Sequence, residues 1–181
     1  MVTPITVFPR ALDYLGNMES EIERSCLACV RRPDLLFCGL APEALRDFDG
    51  LKSLVSYPRS TTLFSQGHPA RGVFVLCQGR AKLSVSSESG SQLTLRIVGP
   101  GEVLGLSAAL VGGVYEMTAQ LLDNAEVAVI KRKDLLTFLH QHRDACLQVV
   151  NQLSQDLHVA YDRVRSVGLG QTRHPRVSRI H

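Results

Sequence analysis

The chain has no tryptophan, and only 6% of its 181 residues are aromatic. It also lacks an excess of either charge. Twenty Lys and Arg against 17 Asp and Glu leave a net +3, too little to mark a nucleic-acid binder by composition. No apolar run approaches the length of a membrane span. Residues 1–10 hold no basic segment followed by an apolar stretch, so no secretory leader is expected and the default compartment is the cytoplasm. The five cysteines are an odd number, which argues against a disulfide framework in a reducing compartment. The six histidines are scattered, and no Ser-His-Asp set, carboxylate pair or phosphate loop stands out. Hydrolase or transferase chemistry therefore has no support, and the protein is not expected to be an enzyme.

What the chain does have is strand pattern. Val73, Val75 and Cys77 alternate with Phe74, Leu76 and Gln78, the period of a pleated strand, which places Cys77 in the wall with the valines. Ala81, Leu83 and Val85 share one face of the next strand, and Ser89-Gly90-Ser91 makes a hairpin turn. Leu93, Leu95 and Ile97 repeat the alternation up to Gly99-Pro100-Gly101. Short strands at this spacing predict a small antiparallel barrel or jelly roll, starting at Pro58, running through Val103 and resuming over Thr118–Lys131. Helices are predicted over Ala41–Leu54, where Leu45, Phe48 and Leu51 form the apolar stripe, and over Lys133–His142. One or two helical turns are expected within Leu106–Tyr115.

A long helix is predicted from Asp144 to about Val167. Cys146, Val150, Leu153, Leu157, Ala160, Val164 and Val167 recur at alternating spacings of four and three, the seam of a coiled coil. A parallel homodimer follows; a helix packed only on its own domain would tolerate a wider, less regular stripe. After Gly168 the chain is short, basic and broken by Pro175. The organisation expected is an arm (1–38), a β-roll (39–143), a dimerisation helix (144–168) and a basic tail (169–181). The fold class is α+β: a double-stranded β-helix, or jelly roll, with flanking helices and a long C-terminal dimerisation helix.

The run Gly72–Gly79, Lys82–Val85 and Leu93 through Gly99-Pro100-Gly101-Glu102-Val103-Leu104-Gly105 resembles the cyclic-nucleotide-binding β-roll, and more narrowly the sensor half of a bacterial CRP/FNR-type transcription regulator. The resemblance implies dimerisation through the long helix and a helix-turn-helix domain after it. The residues past Val167 are too few for that domain, so DNA binding is expected only where a C-terminal module is present. The chain then reads as a fragment, a truncated frame or a sensor that works without such a module. In cyclic-nucleotide binders of this type a Gly-Glu pair accepts from the ribose, a downstream Arg-Ser/Thr-Ala neutralises the phosphate, and backbone N–H groups of the turn between them complete the cradle. Gly101-Glu102 matches the first element and Thr118-Ala119 the end of the second, while the arginine position falls on Met117. Glu116 beside it would repel a phosphate, and the nearest downstream cations are Lys131 and Arg132 on another strand end. The expected effector pocket is Gly101, Glu102, Val103, Leu104, Gly105, Met117, Thr118 and Ala119. Its effector is a small molecule or a redox signal, not cAMP, and Glu102 and Gly105 shape the turn into Leu106–Leu110.

FNR-type sensors hold a [4Fe–4S] cluster with three arm cysteines and a fourth in the roll. Cys26, Cys29 and Cys38 resemble the triplet, so a cluster or another metal is implied there. The fourth position should fall in 124–129, where there is neither cysteine nor histidine. An inherited relic or a thiol switch is the other reading of the triplet. For function, a regulator's sensing and dimerisation domain stands beside an alternative: a stand-alone cyclic-nucleotide or small-ligand module acting through a protein partner. No membrane partner is expected.

Overall fold

A computed structural model describes residues 36, 37 and 39–169, of which 167–169 are described as helix backbone only. Among the described residues eight strands form two four-stranded antiparallel sheets. β1 (Ser53–Tyr57), β8 (Ala125–Lys131), β3 (Gly72–Gln78) and β6 (Val103–Leu104) make one sheet, in that order. β2 (Thr62–Phe64), β7 (Thr118–Leu121), β4 (Ala81–Ser86) and β5 (Gln92–Val98) make the other. The helices are α1 (Pro42–Leu51), α2 (Leu106–Val111), α3 (Arg132–Gln141) and α4 (Arg143–Leu169). The architecture is the expected roll with flanking helices and a long terminal helix.

Two cores result. Between the sheets lie Leu76, Leu83, Val98, Leu104, Leu121 and Val127, all nearly inaccessible. On the outer face of the first sheet, α1, α3 and the start of α4 cover Val73, Ala128 and Ile130. Pro42 at the first helical turn and Glu43 beside it suit the start of α1, which lacks a side-chain cap and buries Ala44, Leu45 and Phe48. Phe48 stacks on Phe37 at 4.6 Å and lies 5.5 Å from Phe138 of α3. At the far end of α3, His142 Nε2 sits 2.9 Å from Asp47 Oδ2, joining it back to α1.

Several boundaries differ from the sequence pattern, each for a local reason. α1 ends at Leu51, not Leu54, because Lys52 is extended (φ −81°, ψ 144°) and Leu54 already pairs with Ala128. The roll therefore begins at Ser53, and Pro58 lies in the turn after β1, where its missing N–H costs no ladder bond. α3 and α4 each begin one residue earlier than expected. In β3 the alternation fails: Val73 and Leu76 are buried, and Cys77 is exposed instead of standing in the wall. A register shift between Leu76 and Gln78 against β8 turns the strand there. In β5 the leucine face points outward, with Leu93 63% and Ile97 58% exposed. The in-register pairs Ala81↔Val98 and Leu83↔Arg96 turn Val98 and Arg96 inward and leave Ile97 outward. Beyond them the ladder shifts. Leu83 pairs with Arg96 and Ser84 with Thr94, which leaves Leu95 as the extra residue. Ser84 beside the bulge is completely buried, and Gln92 Nε2 donates to its hydroxyl at 3.0 Å.

α4 carries two stripes. Ala145 and Val149 are buried in the outer core, and Leu153 continues that line. Of the predicted seam, Cys146, Val150, Leu157, Ala160 and Val164 are exposed, and Val167 lies in the stretch described by backbone alone. From Ser154 to Ser166 every residue is exposed, so the second half of α4 buries no side chain against its own roll. Among the described residues no helix is long and apolar enough to cross a membrane.

Candidate functional site

A cleft opens where β2, β4 and β5 of the second sheet face α4. Its apolar lining comes from Phe64, Leu83, Leu104, Leu106, Met117 and Leu153. Antiparallel partners put their side chains on one face, so the Leu83↔Arg96 pairing that follows the bulge aims Arg96 at the same space as Leu83. Glu116 and Ser107 reach it from the segment around α2, and Asp156 from α4. The space is about 90 Å³, well below the ~300 Å³ at which pockets for drug-sized ligands begin.

The turn into α2 shapes the mouth. Gly105 precedes the helix at φ +76°, the left-handed region, and a Cβ there would stand 2.7 Å from Tyr115 Cε1. The Tyr115 ring cannot yield easily. It is buried, stacks on Phe64 at 4.1 Å, and donates from its hydroxyl to the Gly72 carbonyl oxygen at 2.8 Å. Burial pushes the Tyr115 phenol above the ordinary tyrosine range. At the other end of α2, Arg132 Nε donates to the Ala109 carbonyl oxygen at 2.7 Å, satisfying a C-terminal acceptor. Arg132 is thus engaged with α2 rather than with the cleft.

Of the eight predicted pocket residues, Val103, Leu104, Gly105 and Met117 line the cleft. The others hold its frame. Gly101 N–H donates to the Leu76 carbonyl oxygen at 2.6 Å. Thr118 Oγ1 accepts from Gln66 N–H at 3.0 Å, and Ala119 is fully buried in β7. Glu102 sits one short strand before α2: one carboxylate oxygen accepts from Gly99 N–H at 3.1 Å, the other lies 2.8 Å from Arg96 Nη1. The residue that opens α2 is Leu106, apolar and buried, so no carboxylate stands at the start of the helical turn. Arg96 is the cleft residue that sequence reasoning missed. Its signal is the alternation of Thr94 and Arg96 with Leu93, Leu95 and Ile97, which leaves open which of the two faces is inward.

The ligand chemistry of the arm is a separate matter. Cys26, Cys29 and Cys38 lie outside the described residues. Positions 125–129 belong to β8 and offer no thiol, while Cys77 and Cys146 are exposed and in no disulfide. No group of three or more His, Cys, Asp or Glu among the described residues is arranged to hold a metal. A fourth thiolate at 124–129 does not fit this chain.

Residues 54–142 match the family model described as cyclic nucleotide-binding domain. The chain is similar to the cyclic AMP receptor protein of Thermus thermophilus, with 27% identity over 106 residues, 59% of this chain and 49% of that protein. Among solved structures it resembles the Thermus thermophilus catabolite activator protein, at TM-score 0.68 and 24% identity, covering 74% of this chain and 62% of that one. It also resembles the sensor domain of the transcriptional regulator DNR from Pseudomonas aeruginosa, at TM-score 0.64 and 21% identity, covering 80% and 94%. The chain spans about half the length of the curated relatives it matches.

Proposed function

We propose that this chain, whose residues 54–142 are a cyclic nucleotide-binding domain with CRP/FNR-family homologues, is the effector-sensing and dimerisation part of a transcription regulator that does not answer to a cyclic nucleotide. One observation carries the second half of that reading. The cation lining the cleft, Arg96, is already paired with Glu102, and the position where the resemblance implies a phosphate-binding arginine holds Met117. A cyclic phosphate entering there would be desolvated without a free cation, at a cost of several kcal/mol. Leu153 and Asp156 of α4 line the same cleft, so a ligand in it touches both the roll and the helix, and its differential contacts shift the helix between two arrangements.

Titration of the purified chain with cAMP and cGMP by calorimetry tests this directly. No binding is expected up to ~1 mM, whereas a micromolar Kd, worth about 8 kcal/mol, would refute it. Dimerisation rests on the exposed stripe Cys146, Val150, Leu157, Ala160 and Val164. Sedimentation should give a dimer that Leu157→Asp converts to a folded monomer; a wild-type monomer persisting at high concentration would remove this part. The resemblance of Cys26, Cys29 and Cys38 to the FNR-type arm triplet supports redox sensing there. A brown, iron- and sulfide-containing protein after anaerobic purification supports a cluster, and a colourless, iron-free one refutes it.

A further inference from the structure

The charges around the cleft point to a class of effector. Arg96 is neutralised by Glu102, whose other oxygen is held by Gly99 N–H. Two further carboxylates, Glu116 and Asp156, line the space. Glu116 accepts from Ser107 Oγ at 2.6 Å, and Asp156 accepts from Gln152 Nε2 at 3.1 Å; neither has an ion-pair partner among the described residues. An ionised carboxylate has about four lone-pair sites, so both keep acceptors open at the rim. Below the rim the walls are apolar: Phe64, Leu83, Leu104, Leu106, Met117 and Leu153.

We infer that the cleft takes a small organic cation, a primary ammonium group on a short aliphatic body, with the ammonium at Glu116 and Asp156 and the body against Met117 and Leu153. This rests on the proposal that the cleft is the effector site, and adds the sign of its ligand. An anion meets a negative rim and a guanidinium already occupied; a cation meets two unneutralised carboxylates. The volume of about 90 Å³ limits the body to a few carbons. Glu116 belongs to the roll side and Asp156 to α4, so one ammonium ion holding both draws the helix toward the roll.

Met117 supplies the reporter. The chain has three methionines, Met1, Met18 and Met117, of which Met117 lines the cleft. The full chain labelled at the methionine methyl carbon is titrated at constant ionic strength with n-butylammonium chloride, 1-butanol, butyrate and cAMP, and the Met117 signal is followed. Butylammonium should shift it saturably, and 1-butanol about tenfold more weakly. Glu116→Gln and Asp156→Asn, both at exposed positions that leave the cores intact, should each raise the Kd by about fivefold, the scale of an exposed ion pair. If butanol or butyrate binds as tightly as butylammonium, or the two variants do not weaken it, the cation assignment fails while the cleft stands as a binding site. Tighter binding by cAMP overturns both the cation and the non-nucleotide reading. A Met117 signal that no probe moves overturns the cleft itself as the effector site.

Discussion

Replacing Gly105 by alanine tests the geometry of the cleft mouth in one atom. The residue sits at φ +76°, where an L side chain costs about 1–2 kcal/mol. The new methyl would also stand 2.7 Å from Tyr115 Cε1 and 3.2 Å from Cδ1. Because the ring is buried and pinned by Phe64 and by its bond to Gly72, relief requires shifting a packed group, and overpacking of that kind costs about 1–3 kcal/mol. Alanine returns about 0.4–1 kcal/mol by restricting the unfolded chain. The net expectation is a loss of about 2–3 kcal/mol, or a fall in Tm of about 5–10 °C for a chain of this size. Chemical denaturation with a matching m-value is the assay. The two causes separate in a Tyr115→Leu background, where the clash is gone and the backbone cost remains, so Gly105→Ala should then cost only about 1 kcal/mol. Equal cost in both backgrounds, or under 1 kcal/mol in the wild type, would refute the reasoning.

Further outcomes follow from the same contacts. Tyr115→Phe leaves the buried Gly72 carbonyl without its hydroxyl donor and should lower stability by about 1–2 kcal/mol in thermal melts. Since burial raises the Tyr115 pKa in the folded state, its share of stability is complete below the unfolded tyrosine value near 10 and declines as pH rises through the folded value. The wild type should therefore lose stability above about pH 10 more steeply than Tyr115→Phe; parallel curves would contradict this. Phe48→Ala removes the ring between Phe37 and Phe138 and should cost about 3–5 kcal/mol by urea titration, with anything under 2 counting against the outer core as drawn. Arg132→Ala frees the Ala109 carbonyl, and amide exchange across Leu106–Val111 should accelerate while β8 stays protected; unchanged exchange would deny Arg132 its capping role.

The legible part of this chain was its periodicity. Four-three spacing marked the outward stripe of α4, and period two marked β3, β4 and β5 as strands. What periodicity cannot carry is a single inserted residue. The register shift near Cys77 moves that thiol from the wall to the surface. In β5, period two also leaves open which face is inward, and the pairings Ala81↔Val98 and Leu83↔Arg96 make Arg96, an apparent surface residue, the cation of the cleft. Both depend on cross-strand pairing, which is set by partners on a neighbouring strand and not by the local pattern. The Gly101-Glu102 match likewise followed local resemblance. The glycine whose left-handed backbone opens α2 is Gly105, and Leu106 follows it. Asp156 lies off the four-three seam of α4, and only the docking of that helix brings it to the cleft.

β5 is the last strand of its sheet, and its free side displays a row of backbone groups between the bare side chains of Leu93 and Ile97. Such an edge is a template for adding a foreign strand. Arg163 Nη1, donating to the Leu95 carbonyl oxygen at 3.4 Å, masks one acceptor. An inward-pointing charge in the middle of an edge is a known deterrent to such templating, and Arg96 fits that description. The guanidinium that answers Glu102 would then also act as a sentry against self-association. A neutral residue at position 96 should alter the solubility of the chain before it alters what the cleft admits.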